Sequence, residues 1–371
     1  MEHFKNEKYK ITCKKFNGYK PCEPYLVCKH CSEFESFDKV ILVIALKGLG
    51  AVLMVSSILK PLTEQYKNSK IIFLTSESAV PLLENNPYIS EVVGWNDNNL
   101  MYLSQVKFDI VINFDRSKHA AAYSNYLETD KRIGFYLNNN GTIVYEGEHF
   151  KYLYDLGLDD ENRFKINQKS MAQIMVESLG LHYEHNAYMV YLSDNQRKVE
   201  KQMIQQYRIN PDKAIGFNTG CSPLMLNRSF PKHIIKEIIQ SLLSQNKEVQ
   251  ILLLGGNDEQ ELNHDLSQID ERVIDLTNTY NMRYGIAFAD ICKVIFSGCS
   301  FGLHLGIGLG KPCVAWFGPS CEQEVELFFG GQKFKSDMQC SPCWQKQCLK
   351  EVKCNEIIPA LEIVKALLSF V

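Results

Sequence analysis

Residues 296–319 read F-S-G-C-S-F-G-L-H-L-G-I-G-L-G-K-P-C-V-A-W-F-G-P and predict a strand, a loop, a helix and a second strand. The first apolar run ends in small residues, His304 opens a helix with spaced glycines, and a second apolar run covers 314–317. In open α/β sheets, ligands bind beyond the carboxyl ends of strands, where amides at a helix N-terminus can hold phosphate. We therefore expect the loop at 298–304 to bind phosphate.

The alternation of apolar strands with amphipathic helices runs through most of the chain from residue 39. It predicts mostly parallel sheets with helical crossovers, an α/β class. The pattern restarts at residue 214 after a polar stretch at 193–212, so we expect two Rossmann-like domains facing each other across a cleft. The predicted ranges are a Cys-rich segment at 1–37, a first domain at 38–195, a second domain at 212–335, and a Cys finger with a C-terminal helix at 336–371.

The composition, with 45% hydrophobic and 22% charged residues, is typical of a soluble globular protein. A net charge of −3 and a pI near 6.3 give no electrostatic reason to expect nucleic acid as a partner. No apolar run is long enough to cross a bilayer, and no signal peptide is visible. These features predict a cytoplasmic protein with at most peripheral membrane contact.

Eight of the thirteen cysteines lie in two short terminal clusters. In a reducing compartment such clusters favour metal ligation over disulfides. The C-terminal cluster, with four thiolates within fifteen residues, can close a tetrahedral zinc or iron site. Its members are Cys340, Cys343, Cys348 and Cys354. The N-terminal cluster has less regular spacing, so metal binding there stays open. Its members are Cys13, Cys22, Cys28 and Cys31. Four protein ligands leave no open position, so either site would be structural.

Seven short motifs follow one another in a fixed order. They are I-L-V-I-A-L-K-G-L-G-A-V at 41–52, L-L-E-N-N-P-Y-I-S-E-V-V at 82–93, G-F-N-T-G-C at 216–221, R-S-F-P at 228–231, L-L-L-G-G-N-D-E at 252–259, G-C-S-F-G-L-H at 298–304 and W-F-G-P at 316–319. Together they resemble glycosyltransferase family 9, the ADP-heptose heptosyltransferases of lipopolysaccharide synthesis. This resemblance implies the GT-B fold, with the acceptor bound by the first domain and the nucleotide sugar by the second.

The resemblance also implies a reaction, in which heptose is transferred from ADP-heptose with inversion at the anomeric carbon. The terminal cysteines further resemble bacterial autotransporter heptosyltransferases, which carry a Cys-ligated iron in a C-terminal finger. The acceptor implied is therefore either a sugar of the lipopolysaccharide core or Ser/Thr of an autotransporter protein. Family members of this kind use no catalytic divalent metal, and a homo-oligomer is allowed. For the finger, the cysteine spacing favours zinc, whereas the resemblance favours iron.

Ten positions of this chain align with the donor-binding positions of the family, although Arg228 and Cys299 differ from the family residue. They are Gly50, Asn218, Thr219, Gly220, Arg228, Glu259, Cys299, Ser300, Gly302 and His304. Arg228 stands where the family has a lysine on the diphosphate, and Glu259 stands where a carboxylate receives ribose hydroxyls. Each also has a simpler interpretation: Arg228 as a surface cation, Glu259 as a carboxylate at a helix N-terminus, and His304 as a packed histidine.

Two positions depart from the family pattern. Ala51 stands where the family has the aspartate proposed as catalytic base, and Cys299 replaces a second aspartate. A methyl group cannot accept a proton. Three interpretations follow: a non-catalytic scaffold, an engineered substitution at position 51, or a relocated base. The best candidate for a relocated base is Asp115, which ends a strand, although it can equally cap the next helix.

Overall fold

The computed structural model describes residues 9–18, 22, 28–278 and 281–371, which divide into two compact units. The first unit takes the described part of Met1–Lys47 with Ile58–Tyr154 and Val176–Tyr183, and the second takes Gly48–Ser57, Asp155–Met175 and Glu184–Val371. The predicted domains are each one continuous stretch, whereas the compact units exchange short segments. One consequence is that the loop and helix containing Gly50 and Ala51 belong to the second unit.

The first sheet has six strands in the order β3-β2-β1-β4-β5-β6, and its pairs are parallel except for the antiparallel β5-β6 pair. The strands are β1 (Lys39–Ile44), β2 (Ser69–Thr75), β3 (Glu91–Gly94), β4 (Phe108–Asn113), β5 (Thr129–Leu137) and β6 (Ile143–Glu146). The helices in this half of the chain are α1 (Leu49–Val55), α2 (Leu59–Gln65), α3 (Val80–Leu83), α4 (Asp97–Leu103), α5 (Lys118–Tyr126), α6 (Lys151–Leu156), α7 (Met171–Glu177) and α8 (Asp194–Tyr207).

The second sheet also has six strands, in the order β12-β11-β10-β7-β8-β9, and all its pairs are parallel. The strands are β7 (Ala214–Asn218), β8 (Gln250–Leu254), β9 (Val273–Asp275), β10 (Val294–Gly298), β11 (Cys313–Phe317) and β12 (Gly331–Lys335). The helices are α9 (Lys232–Gln245), α10 (Gln260–Ser267), α11 (Met282–Ile291), α12 (Phe301–Gly308) and α13 (Ala360–Leu368).

The central strands of the second sheet are buried along almost their whole length, which explains why they read as short continuous apolar runs. α9 and α13 place their apolar faces on one side of this sheet. The loop after β10 therefore follows a strand that is buried along its whole length.

Three sequence-based expectations about elements differ from the structure. The polar stretch at 193–212 contains α8, a fourteen-residue helix that starts with a capping box between Ser193 and Gln196. The stretch at 137–167, whose richness in Asn, Asp, Gly and Tyr predicts an insertion, adds β6 to the first sheet and then forms short helices. α12 begins at Phe301 rather than at His304, which lies inside its first turn. Among the described residues, no helix is long and apolar enough to cross a membrane.

Candidate functional site

The loop after β10 presents the start of α12 without a side-chain cap. Ser300 is the N-cap residue of α12, and its hydroxyl makes no capping hydrogen bond to the helix. That hydroxyl instead accepts from Asn218 Nδ2 at 2.9 Å. The first amides of α12 are therefore left for another acceptor, and a helix N-terminus of this kind favours anions.

Asn218 joins the two loops that the sequence singles out. It ends β7, which lies beside β10, and its Nδ2 also donates to Gly220 O at 2.9 Å. Gly302 lies directly against it, since a Cβ on Gly302 would sit 2.2 Å from Asn218 Cγ. The structure thus brings the Asn218 turn and the start of α12 together within the second unit, and Gly302 is required for that close approach.

The side chains of Thr219 and Glu259 form hydrogen bonds within the second unit. The Thr219 hydroxyl, expected to face phosphate, is buried and contacts Asn263 Oδ1 at 2.6 Å and Leu254 O at 3.3 Å. Glu259 Oε2 accepts from the Gly256 amide at 2.8 Å, which supports the helix-capping interpretation. Its Oε1 faces Gly220, where an added Cβ would lie 2.1 Å away. The Thr219 hydroxyl is therefore turned inward, and Gly220 leaves room for the Glu259 carboxylate.

Arg228 carries hydrogen-bond donors that no described residue satisfies. It ends the 3₁₀ turn Pro223–Arg228, and its Nη1 donates to Cys299 O at 3.3 Å. Its Nε and Nη2 are buried and have no hydrogen-bond partner in the described part of the chain. Unsatisfied buried donors on a charged group are costly and rare in native structures. A guanidinium in this state is suited to receive an anionic ligand bidentately.

His304 lies on α12, buried at 6% exposure. Its Nδ1 is 2.9 Å from the Tyr188 hydroxyl, and a Cβ on Gly50 would lie 2.5 Å from its Cδ2. Gly50 therefore allows α1 to pack against the imidazole. Burial, and then the positive charge of Arg228, lower the pKa of His304 to about 4. The ring is neutral near pH 7 and can still donate one N–H to a phosphate oxygen.

This lowered pKa predicts a specific pH dependence of stability. The unfolded chain takes up a proton at His304 near pH 6.5, whereas the folded chain does so only near pH 4. The free energy of unfolding should therefore fall as the pH decreases through this window, by up to about 3 kcal/mol from this residue. Urea unfolding at several pH values should show a shallower dependence in His304→Gln. The exposed His233→Gln is the control, and equal slopes in all three proteins would contradict the assignment.

Cys299 accepts a hydrogen bond from Arg228 through its main-chain carbonyl and not through its side chain. Its carbonyl is the acceptor for Arg228 Nη1, while the thiol is buried at 9% exposure. Burial raises the pKa of the Cys299 thiol, so the side chain stays neutral. The neutral Cys299 side chain therefore adds no negative charge beside Arg228.

Asp115 is held by backbone amides of its own unit. Its Oδ2 accepts from the amides of Leu46 at 3.1 Å and Lys47 at 3.0 Å, and its Oδ1 accepts from the Ser117 amide at 2.8 Å. The residue is 7% exposed. These three amide donors hold the carboxylate in place, and the carboxylate in turn connects the ends of β1 and β4. These contacts favour the structural interpretation of Asp115 over the catalytic one.

Asp115→Asn separates these two roles. An amide would replace one accepting oxygen with a donor that faces backbone N–H groups, so we expect the free energy of unfolding to fall by about 2 kcal/mol. Urea denaturation measures this, with the exposed Asp97→Asn as control. Unchanged stability together with lost transfer activity would instead identify Asp115 as a base.

The four-cysteine segment, residues 340–354, gathers its thiols around one small cavity. Cys340, Cys343, Cys348 and Cys354 all line it, together with Asn227. Burial, and then the neighbouring thiols, raise the pKa of Cys354 to about 11. Within the described residues, however, no three Cys, His, Asp or Glu side chains are close enough to form a metal site. The segment brings the ligands to one place without closing them into a coordination sphere.

Two residues beside the site have no signal in the sequence motifs. Tyr188 contacts His304, and Trp344 lies with its ring 4.3 Å from Arg228 Cζ. For Trp344, the only indication in the sequence is that a tryptophan stands next to Cys343 in a polar loop. Tyr188 precedes β7 in an irregular stretch, so its position follows only from the fold.

Comparison with known proteins identifies the family. The sequence profile of glycosyltransferase family 9 (heptosyltransferase) matches residues 101–353, more than half of the 371 residues. The chain belongs to glycosyltransferase family 9. The match includes Asn218, Arg228 and the loop before His304, but not the loop with Gly50 and Ala51. Among curated proteins, none matches the chain significantly.

Solved structures of other family 9 proteins share the fold. A family 9 glycosyl transferase from Veillonella parvula DSM 2008 matches with a TM-score of 0.71 and 18% identity, covering 90% of this chain and 97% of that one. E. coli ADP-heptose lps heptosyltransferase II gives 0.63 and 15%, covering 89% and 98%. The iron-containing dodecameric glycosyltransferase TibC from enterotoxigenic E. coli H10407 gives 0.54 and 11%, covering 90% and 78%. This family 9 chain therefore has the expected GT-B fold.

Proposed function

We propose that this family 9 glycosyltransferase binds ADP-heptose in its second unit and transfers the heptose to an acceptor hydroxyl. The observation that carries the proposal is the pair of buried nitrogens of Arg228 that have no hydrogen-bond partner among the residues the structure describes. Arg228 also donates to the carbonyl of Cys299, and Cys299 directly precedes Ser300, the N-cap residue of α12. A diphosphate would satisfy both donors and the open amides of that helix together.

The transfer we propose proceeds with inversion. The acceptor oxygen attacks the anomeric carbon on the face opposite the diphosphate, and the bond from that carbon to the diphosphate oxygen breaks. ADP leaves with the electron pair, while the hydroxyl proton passes to a base. Arg228 and the start of α12 would stabilise the charge that develops on the leaving group, which replaces the need for a catalytic divalent metal. The neutral imidazole of His304 would donate its remaining N–H to the same group.

Two acceptors are compatible with this site. The name of E. coli ADP-heptose lps heptosyltransferase II supports a sugar of the lipopolysaccharide core, whereas the four-cysteine segment supports Ser/Thr of an autotransporter protein. Both would be met in the cytoplasm, with at most peripheral membrane contact and no nucleic acid. TibC is a dodecamer, and its likeness supports a homo-oligomer for this chain.

A second candidate is a homologue that binds the nucleotide sugar but no longer transfers it. Ala51 is at the third position of α1 and offers no proton acceptor, while the oxygens of Asp115 already accept three amides. An aspartate at position 51 would complement the N-terminal end of the helix, so Ala51→Asp should fold normally. That makes it a suitable variant for recovering activity.

The four-cysteine segment would hold a structural iron or zinc ion. The four thiols line one cavity, where burial and then the other three thiols raise the pKa of Cys354. A bound cation would instead favour the thiolate form. When bound, the ion would cross-link the loop and supply no chemistry to the transfer. TibC, which contains iron, supports iron, whereas four thiolates at these spacings support zinc equally well.

One assay separates the two candidate functions. The purified chain is mixed with ADP-heptose, and binding is followed by calorimetry while ADP release is followed with acceptor present. Binding with release supports the transferase. Binding without release, with release gained in Ala51→Asp, supports the impaired homologue. If ADP-heptose does not bind, both candidates fail.

A further inference from the structure

Trp344 lies between Cys343 and Cys348 in the chain and reaches out of the four-cysteine segment to two arginines. Its ring centroid is 4.3 Å from Arg228 Cζ and 4.1 Å from Arg163 Cζ. These distances are those of cation–π contacts, which strengthen when water is excluded. Arg228, the candidate diphosphate-binding residue, is therefore one of two arginines that contact this indole.

The two arginines differ in what else holds them. Arg163 forms two hydrogen bonds to Glu324, at 2.6 and 2.9 Å, and the Glu324 side chain is 8% exposed. Arg228 forms no ion pair among the described residues, and its only protein hydrogen bond there is the 3.3 Å contact to Cys299 O. Arg163 is thus fixed by a carboxylate, whereas the orientation of Arg228 depends on Trp344.

The four-cysteine segment and the residue directly after it hold both chain neighbours of Arg228. Asn227 donates from Nδ2 to Gln345 O at 2.9 Å and accepts from the Cys348 amide at 3.0 Å. On the other side, Nδ2 of Asn355, the residue directly after the segment, donates to Ser229 O at 2.9 Å. The backbone that presents Arg228 is therefore attached to residues 340–355 before and after the arginine.

Trp344 itself is fixed from two directions. Its amide donates to Pro319 O at 2.9 Å, and its indole Nε1 donates to Cys321 Sγ at 3.2 Å. Its φ of 52° is in the left-handed region, which a bulky residue adopts only when its surroundings impose it. With these contacts, the ring lies against the guanidinium groups of Arg163 and Arg228.

We infer that Trp344 is a positioning residue for Arg228 and that the four-cysteine segment serves the donor site through it. The indole and the contacts of Asn227 keep Nε and Nη2 of Arg228 directed at the diphosphate, without themselves touching the ligand. This inference rests on the proposed function, because the ligand it concerns is the diphosphate of the donor. It gives the cysteine segment a role in binding rather than in folding alone.

A double-mutant cycle on the full chain tests the inference. Calorimetry gives the Kd for ADP and for adenosine in wild type, Trp344→Leu, Arg228→Ala and the double variant. We expect Trp344→Leu to weaken ADP binding about tenfold and Trp344→Phe about threefold, with adenosine binding unchanged. In the Arg228→Ala background, Trp344→Leu should have no further effect on ADP. Tyr126→Leu, an exposed aromatic of the first unit, is the matched control.

The outcomes distinguish the inference from the proposed function. If wild type binds ADP and Arg228→Ala weakens it, but the effect of Trp344→Leu adds fully to that of Arg228→Ala, Trp344 does not act through Arg228 and the inference is wrong. Equal losses for ADP and adenosine would likewise show a general structural effect. Should Trp344→Leu fail to fold, Asn227→Ala takes its place in the same cycle, with the same expected dependence on Arg228. Absence of ADP binding in wild type overturns both.

Discussion

Replacing Arg228 with alanine should weaken ADP binding about 100-fold, equivalent to about 2.8 kcal/mol. The variant removes two charge-assisted hydrogen bonds from the diphosphate and the positive charge that stabilises it. It should also lower the rate of any transfer reaction, since the same charge would stabilise the leaving group. Calorimetry with ADP, and ADP release from ADP-heptose, measure the two effects.

The stability of the same variant should change little. Without ligand, Arg228 has two buried donors that no residue in the described ranges satisfies, and their removal offsets the loss of the contact with Trp344. Arg228→Lys is the matched control: it keeps the charge but loses the planar fork, and we expect about tenfold weaker ADP binding. Unchanged ADP affinity in Arg228→Ala would show that the diphosphate does not lie at this residue.

Replacing Cys343 with serine should prevent the four-cysteine segment from holding the proposed metal and lower the free energy of unfolding by about 3 kcal/mol or more. Between β12 and the short 3₁₀ turn Cys354–Glu356 the chain has no helix or strand, so a bound ion would be the main cross-link of this segment. Elemental analysis of the purified protein should find about one iron or zinc per chain in wild type and little in Cys343→Ser. Urea denaturation measures the stability loss.

Cys221→Ser is the control for this prediction, since Cys221 lies outside the four-cysteine segment and should leave the metal in place. Chelation of the wild-type metal should reproduce the effect of Cys343→Ser on stability. A wild-type protein without metal, or a Cys343→Ser protein that keeps it, would show that the cysteines serve another purpose.

Local sequence patterns predicted the central strands well. The apolar run expected as a strand at 314–317 falls within β11, and the pattern that restarts at residue 214 begins with β7, because a buried parallel strand is a short apolar run. The family match confirms the predicted resemblance, and the neighbouring Asn218 and Ser300 follow from the adjacency of β7 and β10. α8 was not predicted because its outward side chains make the stretch polar. The feature that indicates a helix there is the capping box between Ser193 and Gln196.

The remaining features of the site depend on contacts between distant parts of the chain. Nothing near Arg228 in the sequence shows that Trp344 would rest on it, since the two are brought together by β11 and the turn after it. The inward hydroxyl of Thr219 and the amides around Asp115 are also tertiary contacts. Motif position identified which residues are near the site, but only the fold shows which of their atoms are free.

A crystal structure of the chain with ADP tests the central claim most directly. The account predicts electron density for the diphosphate within hydrogen-bonding distance of Nε and Nη2 of Arg228 and of the first amides of α12. Density for ADP at another place, with both Arg228 nitrogens still without a partner, would contradict it.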